Sequence, residues 1–182
     1  GAPGPGQVRL RQTAVGLNYI DVYHRTGLYP QLLPFTPGTE GVGVVEATGD
    51  GVTTLNVGDR VAYAGAIGSY AEARLIDADR LVRLPDFVSD ELAAAMMLQG
   101  VTVRMLLRAV YEVKPGDTIL VHAAAGGVGL ILCQWANALG ATVIGTVSTD
   151  EKGELARAHG CHHPIVYTRQ DFVAEVEGLT GA

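Results

Sequence analysis

Residues 119–152, "ILVHAAAGGVGLILCQWANALGATVIGTVSTDEK", combine residue types and spacings that could bind a nucleotide. A buried-strand pattern leads into closely spaced glycines and then into a helix pattern. Gly126 would let the backbone approach a pyrophosphate without an intervening Cβ, and Gly129 would let the helix pack close to the strand. The free N–H groups at the helix start would then face the phosphates.

The motif departs from the dinucleotide-binding fingerprint at its first glycine, because Ala124 occupies that position. Alanine can serve there if the turn keeps φ negative. A glycine-rich strand–helix turn without any ligand is the alternative interpretation.

The end of the second predicted strand carries no carboxylate of the kind that holds a ribose 2′-OH. The hydroxyls at this point belong to Thr146, Ser148 and Thr149. Together with Lys152 they suit a 2′-phosphate, which favours NADPH over NADH. Asp150 and Glu151 would weaken this preference if they pointed inward, and an ordinary solvated lysine is the alternative for Lys152.

The patterns around this stretch indicate an α/β fold in two parts. Short apolar or alternating runs, broken by Gly, Pro and Asp, extend to about residue 85 and predict a β-rich domain. Ser89 is a predicted N-cap of a long helix that Gly100 is expected to break or bend. Strands and helices then alternate, which predicts a Rossmann-type, doubly wound parallel sheet. The predicted domains are residues 1–95 and 96–182.

Composition excludes some classes of function. The net charge of −6 argues against a sequence-independent grip on nucleic acid. No run of about 18 or more apolar residues is evident, so a membrane-spanning helix is not predicted. The two cysteines form no disulfide framework, and a reducing cytoplasm is the expected compartment.

Several motifs together resemble the zinc-independent quinone oxidoreductases, the ζ-crystallin-like branch of the medium-chain dehydrogenase/reductases. The matching segments are "GLNYIDVYHRTGLYP", "PGTEGVGVVEATGDGV", "GDRVAYA", "LQGVTVRMLL" and "HAAAGGVGLILCQWANALGATVIGTVST". The resemblance implies a GroES-like substrate domain followed by a Rossmann NADPH-binding domain. It also implies a fragment that lacks a first strand and the C-terminal part of the cofactor domain, and a homodimer in the full-length protein.

The resemblance further implies that no zinc is bound. Zinc-dependent relatives place Cys where this chain has Asn18 and His where it has Thr39. A catalytic zinc needs about three protein ligands, and Asn and Thr are poor replacements for them. The segment "CHH" at residues 161–163 is not expected to bind a metal.

The site residues are assigned by the same resemblance. It places the segment Asn18, Tyr19, Ile20, Asp21, Val22 and Tyr23 beside the nicotinamide and the substrate. It assigns Thr102 and Met105 to the nicotinamide ring, Gly127 and Val128 to the pyrophosphate, and Ser148, Thr149, Lys152 and Tyr167 to the 2′-phosphate end. The predicted catalytic residues are Asn18, Tyr23 and Thr102. Asn18 could donate to a carbonyl, and Tyr23 could donate to a developing phenolate.

The expected function is NADPH-dependent reduction of a small-molecule quinone without metal. Three alternatives stay open. An NADPH-dependent enal or enone reductase would share this architecture. A nucleotide-regulated RNA-binding or crystallin-like structural role would belong to another class of function. The fragment by itself could also be inactive because its pocket is incomplete.

Overall fold

Two separate sheets organise the chain. The computed structural model describes residues 1–181, and its contacts divide the chain into Gly1–Leu98, here unit 1, and Gln99–Ala182, here unit 2. The sheet of unit 1 has five strands and that of unit 2 has three.

Alternating apolar residues build the antiparallel sheet of unit 1. Its strands are β1 (Gln7–Val15), β2 (Glu40–Thr48), β3 (Arg60–Ala64), β4 (Ala73–Asp77) and β5 (Val82–Arg83). They lie in the order β4-β1-β2-β3-β5, and every neighbouring pair is antiparallel. Val8, Leu10, Val45 and Val61 are fully or almost fully buried, because alternate residues of a strand face the same side.

The segment between β1 and β2 contains a short helix, α1 (Tyr19–Thr26). Gly27 follows it with φ of 79°, in the left-handed region that glycine enters without steric penalty. The helix therefore ends at this glycine.

The long helix α2 (Asp90–Met105) differs from its prediction at one residue. The Ser89 hydroxyl accepts a hydrogen bond from the amide of Leu92 at 3.2 Å, which confirms the predicted cap. No break occurs at Gly100, since helical hydrogen bonding continues through it. The helix changes character later, in a π-helical turn over Leu106–Val110.

The segment Asp90–Val110 forms one continuous helix of 21 residues that is long and apolar enough to cross a membrane by length and composition. The sequence analysis looked for an unbroken apolar run, and this segment is not one, because it contains Gln99, Arg104 and Arg108. A single helix of this kind is a weak indication, because helices of soluble proteins meet the same test.

Strands and helices alternate through unit 2. In chain order these are β6 (Thr118–Val121), α3 (Gly127–Ala138), β7 (Thr142–Val147), α4 (Asp150–Ala158), β8 (His163–Val166) and α5 (Phe172–Thr180). The three strands are parallel in the order β6-β7-β8, so their carboxyl ends meet at one edge. Val143, Ile144 and both cysteines are buried in this unit. The predicted fold class, a β-rich GroES-like part followed by a partial Rossmann-type sheet, is confirmed.

An ion pair ties strand β3 to the start of α2 within unit 1. Arg60 Nε donates to Asp90 Oδ1 at 3.0 Å, and Arg60 Nη2 donates to the carbonyl of Val88 at 2.7 Å. The Thr13 hydroxyl and the Arg60 guanidinium hold the pKa of Asp90 below its usual value.

We expect Asp90→Asn to lower the free energy of unfolding at pH 7 by about 1 kcal/mol, a value typical of a partly exposed ion pair. A carboxyl with a depressed folded-state pKa stabilises the fold above its unfolded pKa of about 3.9 and loses that contribution as the pH falls through the folded-state pKa. The difference from wild type should therefore shrink in urea unfolding at pH 3.

The exposed Asp86 provides the control for this experiment, and Asp86→Asn should leave stability unchanged at both pH values. An equal loss for Asp90→Asn at pH 7 and pH 3 would contradict the ion-pair account.

Candidate functional site

The turn after β6 brings the start of α3 against the strand end. Ala123 has φ of 51°, and its carbonyl accepts a hydrogen bond from the amide of Gly126 at 2.8 Å. A Cβ on Gly129 would lie 2.3 Å from the Ala123 carbonyl oxygen, closer than any side chain could come. The structure thus gives Gly129 the close-packing role predicted from the sequence, and Gly126 precedes the first turn of α3 as its N-cap residue.

Ala124 meets the condition stated for an alanine at the first glycine position of the motif, because its φ is not positive. Ala123 is the one non-glycine residue with positive φ in the described part of the chain, so the left-handed conformation lies one residue earlier. Ala124 is fully buried, and its amide donates to the carbonyl of Thr146 at 3.0 Å. Its methyl group lies over Gly145 of β7, where a Cβ would approach it to 2.6 Å. An alanine here fills space that Gly145 leaves open.

A cavity of about 560 Å³ opens at the carboxyl edge of the parallel sheet. Ligands of open α/β sheets bind at this edge. Its lining consists of His122, Ala123, Ala125, Gly126, Thr146, Val147, Ser148, Lys152, Tyr167 and Phe172. Four of the predicted cofactor-binding residues therefore line one cavity, namely Gly126, Ser148, Lys152 and Tyr167. A neighbouring depression contains Gly127, Val128 and Gly129.

The cavity carries positive charge near the end of β7. Lys152 Nζ donates to the Ser148 hydroxyl at 3.1 Å, and the described residues place no carboxylate within ion-pair distance of this ammonium. Thr149 is the N-cap of α4, and its hydroxyl accepts from the amide of Lys152 at 3.3 Å. Thr149 therefore fixes the helix start but does not line the cavity.

The two acids that follow Thr149 do not line the cavity either. Asp150 forms a bidentate ion pair with Arg169. This pairing keeps the pKa of Asp150 below its usual value, and hydrogen bonds from its own backbone and from Thr149 do the same for Glu151. The inward-pointing acids that would have opposed a 2′-phosphate are not observed.

Two aromatic residues of the cavity were missed by the sequence analysis. The rings of His122 and Phe172 meet edge to face, with centroids 5.5 Å apart. His122 Nδ1 also lies 3.0 Å from the hydroxyl of Thr146. His122 could have been found from its place after β6, because the ends of parallel strands converge on such sites. Phe172 begins α5, and no local signal directs it to the cavity.

In unit 1, two buried carboxylates organise the start of α1. Asn18 is the N-cap residue, and its Nδ2 donates to Glu40 Oε2 at 2.7 Å. Glu40 is fully buried and accepts a second bond from the amide of Leu98 at 2.7 Å. One of the two amide hydrogens that Asn18 offers is therefore committed to the protein.

Asp21 is the second buried carboxylate of this network. It accepts hydrogen bonds from the backbone amide of Asn18 at 2.9 Å, from the Tyr70 hydroxyl at 2.9 Å and from the Thr39 hydroxyl at 3.3 Å. Burial and the Asp21 carboxylate raise the pKa of Tyr70 to about 12. Asp21 thus acts as a structural acceptor that holds three segments together.

Tyrosines cluster along α1 and the loop after it. The ring of Tyr23 meets Tyr29 edge to face at 5.3 Å between centroids and lies 5.8 Å from Tyr19. Tyr19 is 77% exposed and Tyr29 is 50% exposed. Ile20 and Val22 are half-buried on the same helix.

The remaining predicted residues lie on α2, in the part that belongs to unit 2. Thr102 is half-buried, and Met105 is 47% exposed. The roles assigned to these residues and to Asn18–Tyr23 stay predictions.

Comparison with known proteins places this architecture in a family. The profile "Alcohol dehydrogenase GroES-like domain" matches residues 4–86, and the profile "Zinc-binding dehydrogenase" matches residues 127–182. The chain therefore belongs to the medium-chain dehydrogenase/reductase superfamily. Within that superfamily, three relatives named quinone oxidoreductase are 47–54% identical to the chain, in agreement with the sequence resemblance.

Three relatives illustrate the similarity. The chain is 54% identical over 180 residues to a quinone oxidoreductase of Pseudomonas aeruginosa, covering 98% of this chain and 55% of the relative. It is 50% identical over 188 residues to a 2-haloacrylate reductase of Burkholderia sp, covering 100% of this chain and 56% of the relative. The crystal structure of Escherichia coli quinone oxidoreductase complexed with NADPH superposes with a TM-score of 0.95 at 47% identity, over 98% of this chain and 56% of that chain. The chain thus spans about half of the length of the curated relatives it matches, between 45% and 56%.

The close contact between Gly129 and the Ala123 carbonyl predicts that a substitution at this glycine lowers the free energy of unfolding. In Gly129→Ala the added methyl would collide with backbone, and we expect a loss of about 1–3 kcal/mol in the free energy of unfolding. Gly100→Ala is the matched control, since open space surrounds Gly100 in the middle of α2. It should stabilise the protein by about 0.5–1 kcal/mol, because alanine is the better helix former.

Urea unfolding of both variants measures the two changes. Equal stability of Gly129→Ala and wild type would show that folding does not depend on the close contact between Gly129 and the Ala123 carbonyl.

Proposed function

We propose that the protein to which this chain belongs is an NADPH-dependent reductase of quinones. The observation that carries the proposal is the cavity at the carboxyl edge of the parallel sheet, with a lysine, hydroxyls and no lining carboxylate. The similarity to an enzyme solved with NADPH supports the same cofactor.

The residues of unit 2 fit NADPH. Gly126 and Gly127 add no side chains of their own at the start of α3, where N–H groups can bind the pyrophosphate, and the Gln99 side chain packs against Gly127. Ser148, Lys152 and Tyr167 would hold the 2′-phosphate, with Lys152 supplying the charge. When bound, NADPH supplies the reducing equivalents.

The protein itself would bind and orient the two reactants and exclude water. In this proposal the free amide hydrogen of Asn18 donates to the quinone carbonyl and so stabilises the negative charge that develops on its oxygen. The Tyr23 hydroxyl, or solvent, supplies the proton to that oxygen. Thr102 and Met105 would border the nicotinamide.

We also propose that the reaction uses no zinc, although one matching profile is described as zinc-binding. The two residues at the positions of zinc ligands in relatives are committed to hydrogen bonds, Asn18 to Glu40 and Thr39 to Asp21. Neither side chain is a good zinc ligand. No group of three or more His, Cys, Asp and Glu residues suited to a metal occurs among residues 1–181.

A cytoplasmic location and a homodimer complete the proposal. Two free, buried thiols are compatible with a reducing compartment. The dimer rests on the family resemblance.

An enone reductase is the second candidate, favoured by the similarity to a 2-haloacrylate reductase, whose name describes a substrate with an activated C=C bond. Parallel assays with a quinone and an α,β-unsaturated ketone separate the two activities. Turnover of the ketone but not of the quinone would replace the first proposal with the second.

Asn18→Ala in the full-length protein should lower kcat/KM for the quinone by about 10- to 100-fold, because it removes a donor to the developing charge. Asn56→Ala is the control, since Asn56 lies in an exposed turn. Steady-state kinetics measure both variants, and thermal unfolding checks that Asn18→Ala is folded. A folded Asn18→Ala protein with full turnover would refute the assignment.

A further inference from the structure

The ion pair between Asp150 and Arg169 lies beside the cofactor cavity without lining it. Asp150 is the first residue of α4, two positions after Ser148 and two before Lys152, both of which line the cavity. Both terminal nitrogens of Arg169 donate to the two carboxylate oxygens of Asp150. This bidentate geometry is the strongest form of a guanidinium–carboxylate contact.

The backbone around Arg169 is fixed against the ends of β7 and β8. The amide of Tyr167 donates to the carbonyl of Val147 at 3.1 Å, and the Thr168 hydroxyl donates to the carbonyl of Ser148 at 3.1 Å. The amide of Arg169 itself donates to the carbonyl of Val166 at 3.1 Å. The segment that carries Arg169 is therefore attached to the same strand end from which Asp150 follows.

Asp150 is a negative charge close to the region where a 2′-phosphate would bind. A free carboxylate at the end of the second strand repels that phosphate and favours a ribose 2′-OH. The Asp150 carboxylate stays ionised, since its pKa is lowered by the contact with Arg169. Its charge must therefore be balanced or directed elsewhere if the cavity is to accept a phosphate.

We propose that Arg169 is a specificity-determining positioning residue, which holds Asp150 away from the cavity and neutralises it, so that the site discriminates in favour of NADPH. The inference rests on the proposed function, and it adds a residue that acts through Asp150. Arg169 contacts Asp150, whereas Lys152 lines the cavity.

Asp150 and Arg169 are both exposed, and this exposure distinguishes a role in cofactor selection from a role in stabilising the fold. The side chains of Asp150 and Arg169 are 64% and 59% exposed, and exposed ion pairs contribute little to folding. Removing Arg169 should leave the unfolding temperature nearly unchanged. Its effect should appear in cofactor selection.

The test is a double-mutant cycle in the full-length protein with Arg169→Ala, Asp150→Ala and the double variant. Fluorescence titrations give the Kd of NADPH and NADH at low ionic strength. Arg169→Ala should weaken NADPH binding by about three- to tenfold, the range for a released charge near a phosphate at partly screened distance. NADH binding should be unchanged or tighter, because NADH lacks the phosphate. The double variant should recover NADPH binding to within about twofold of wild type.

Arg157→Ala is the matched control. It removes an arginine from another exposed ion pair of α4, the one with Glu154, which lies outside the lining of the cavity. It should leave both dissociation constants unchanged.

Two results would overturn the proposal while leaving the proposed function standing. One is unchanged NADPH binding in Arg169→Ala. The other is an equal loss of NADPH binding whether Asp150 is present or not, which would show that Arg169 binds the phosphate itself. A wild-type chain that binds NADH as well as NADPH would contradict the proposed cofactor, and the role of Arg169 with it.

Discussion

The contact between Gly129 and the Ala123 carbonyl determines how the cofactor cavity is built. It lets helix α3 begin directly against the end of β6, with its first amides at the carboxyl edge of the sheet. A longer turn or a larger residue would move those amides away from the edge. The left-handed conformation of Ala123 serves the same purpose, since it lies in the short turn that joins β6 to α3. Strand β7 ends beside this turn. The position of that strand end therefore determines where the cavity lies and where Lys152 and Asp150 are placed.

Unit 1 depends on a different constraint, the satisfaction of two buried carboxylates. Glu40 and Asp21 each need donors, because an unpaired buried charge is costly. Asn18 supplies donors to both, from its side chain and from its backbone. The start of α1 is thereby held in one position. By the family resemblance, Asn18 and Thr39 occupy positions where zinc-dependent relatives carry metal ligands, and both side chains here form hydrogen bonds to these two carboxylates.

Much of the fold could be predicted because it depends on local patterns. Alternation in β1, the cap at Ser89 and the left-handed Gly27 each follow from residue type and near neighbours. Gly100 was misjudged because helix propensity is a weak preference that the surrounding apolar sequence overrides. A search for unbroken apolar runs likewise passed over the segment Asp90–Val110, which polar residues interrupt.

The cavity could be predicted only in part. The strand–helix pattern places Gly126, Ser148 and Lys152 after successive strands. Their meeting at one edge of the sheet could therefore be predicted from the sequence. Phe172 reaches the cavity because β8 returns the chain to the same edge, and Arg169 meets Asp150 across 19 residues for the same reason. Such partners depend on topology, which spacing alone does not reveal.

The central claim is that the end of β7 binds the 2′-phosphate of NADPH. Phosphorus NMR of NADPH titrated with the full-length protein observes that phosphate directly, separately from the pyrophosphate. We predict that the 2′-phosphate resonance shifts and that the pKa of the phosphate falls below its free value of about 6, because the Lys152 ammonium stabilises the dianion. A 2′-phosphate resonance that keeps its free position and pKa while the pyrophosphate resonances shift would contradict the account.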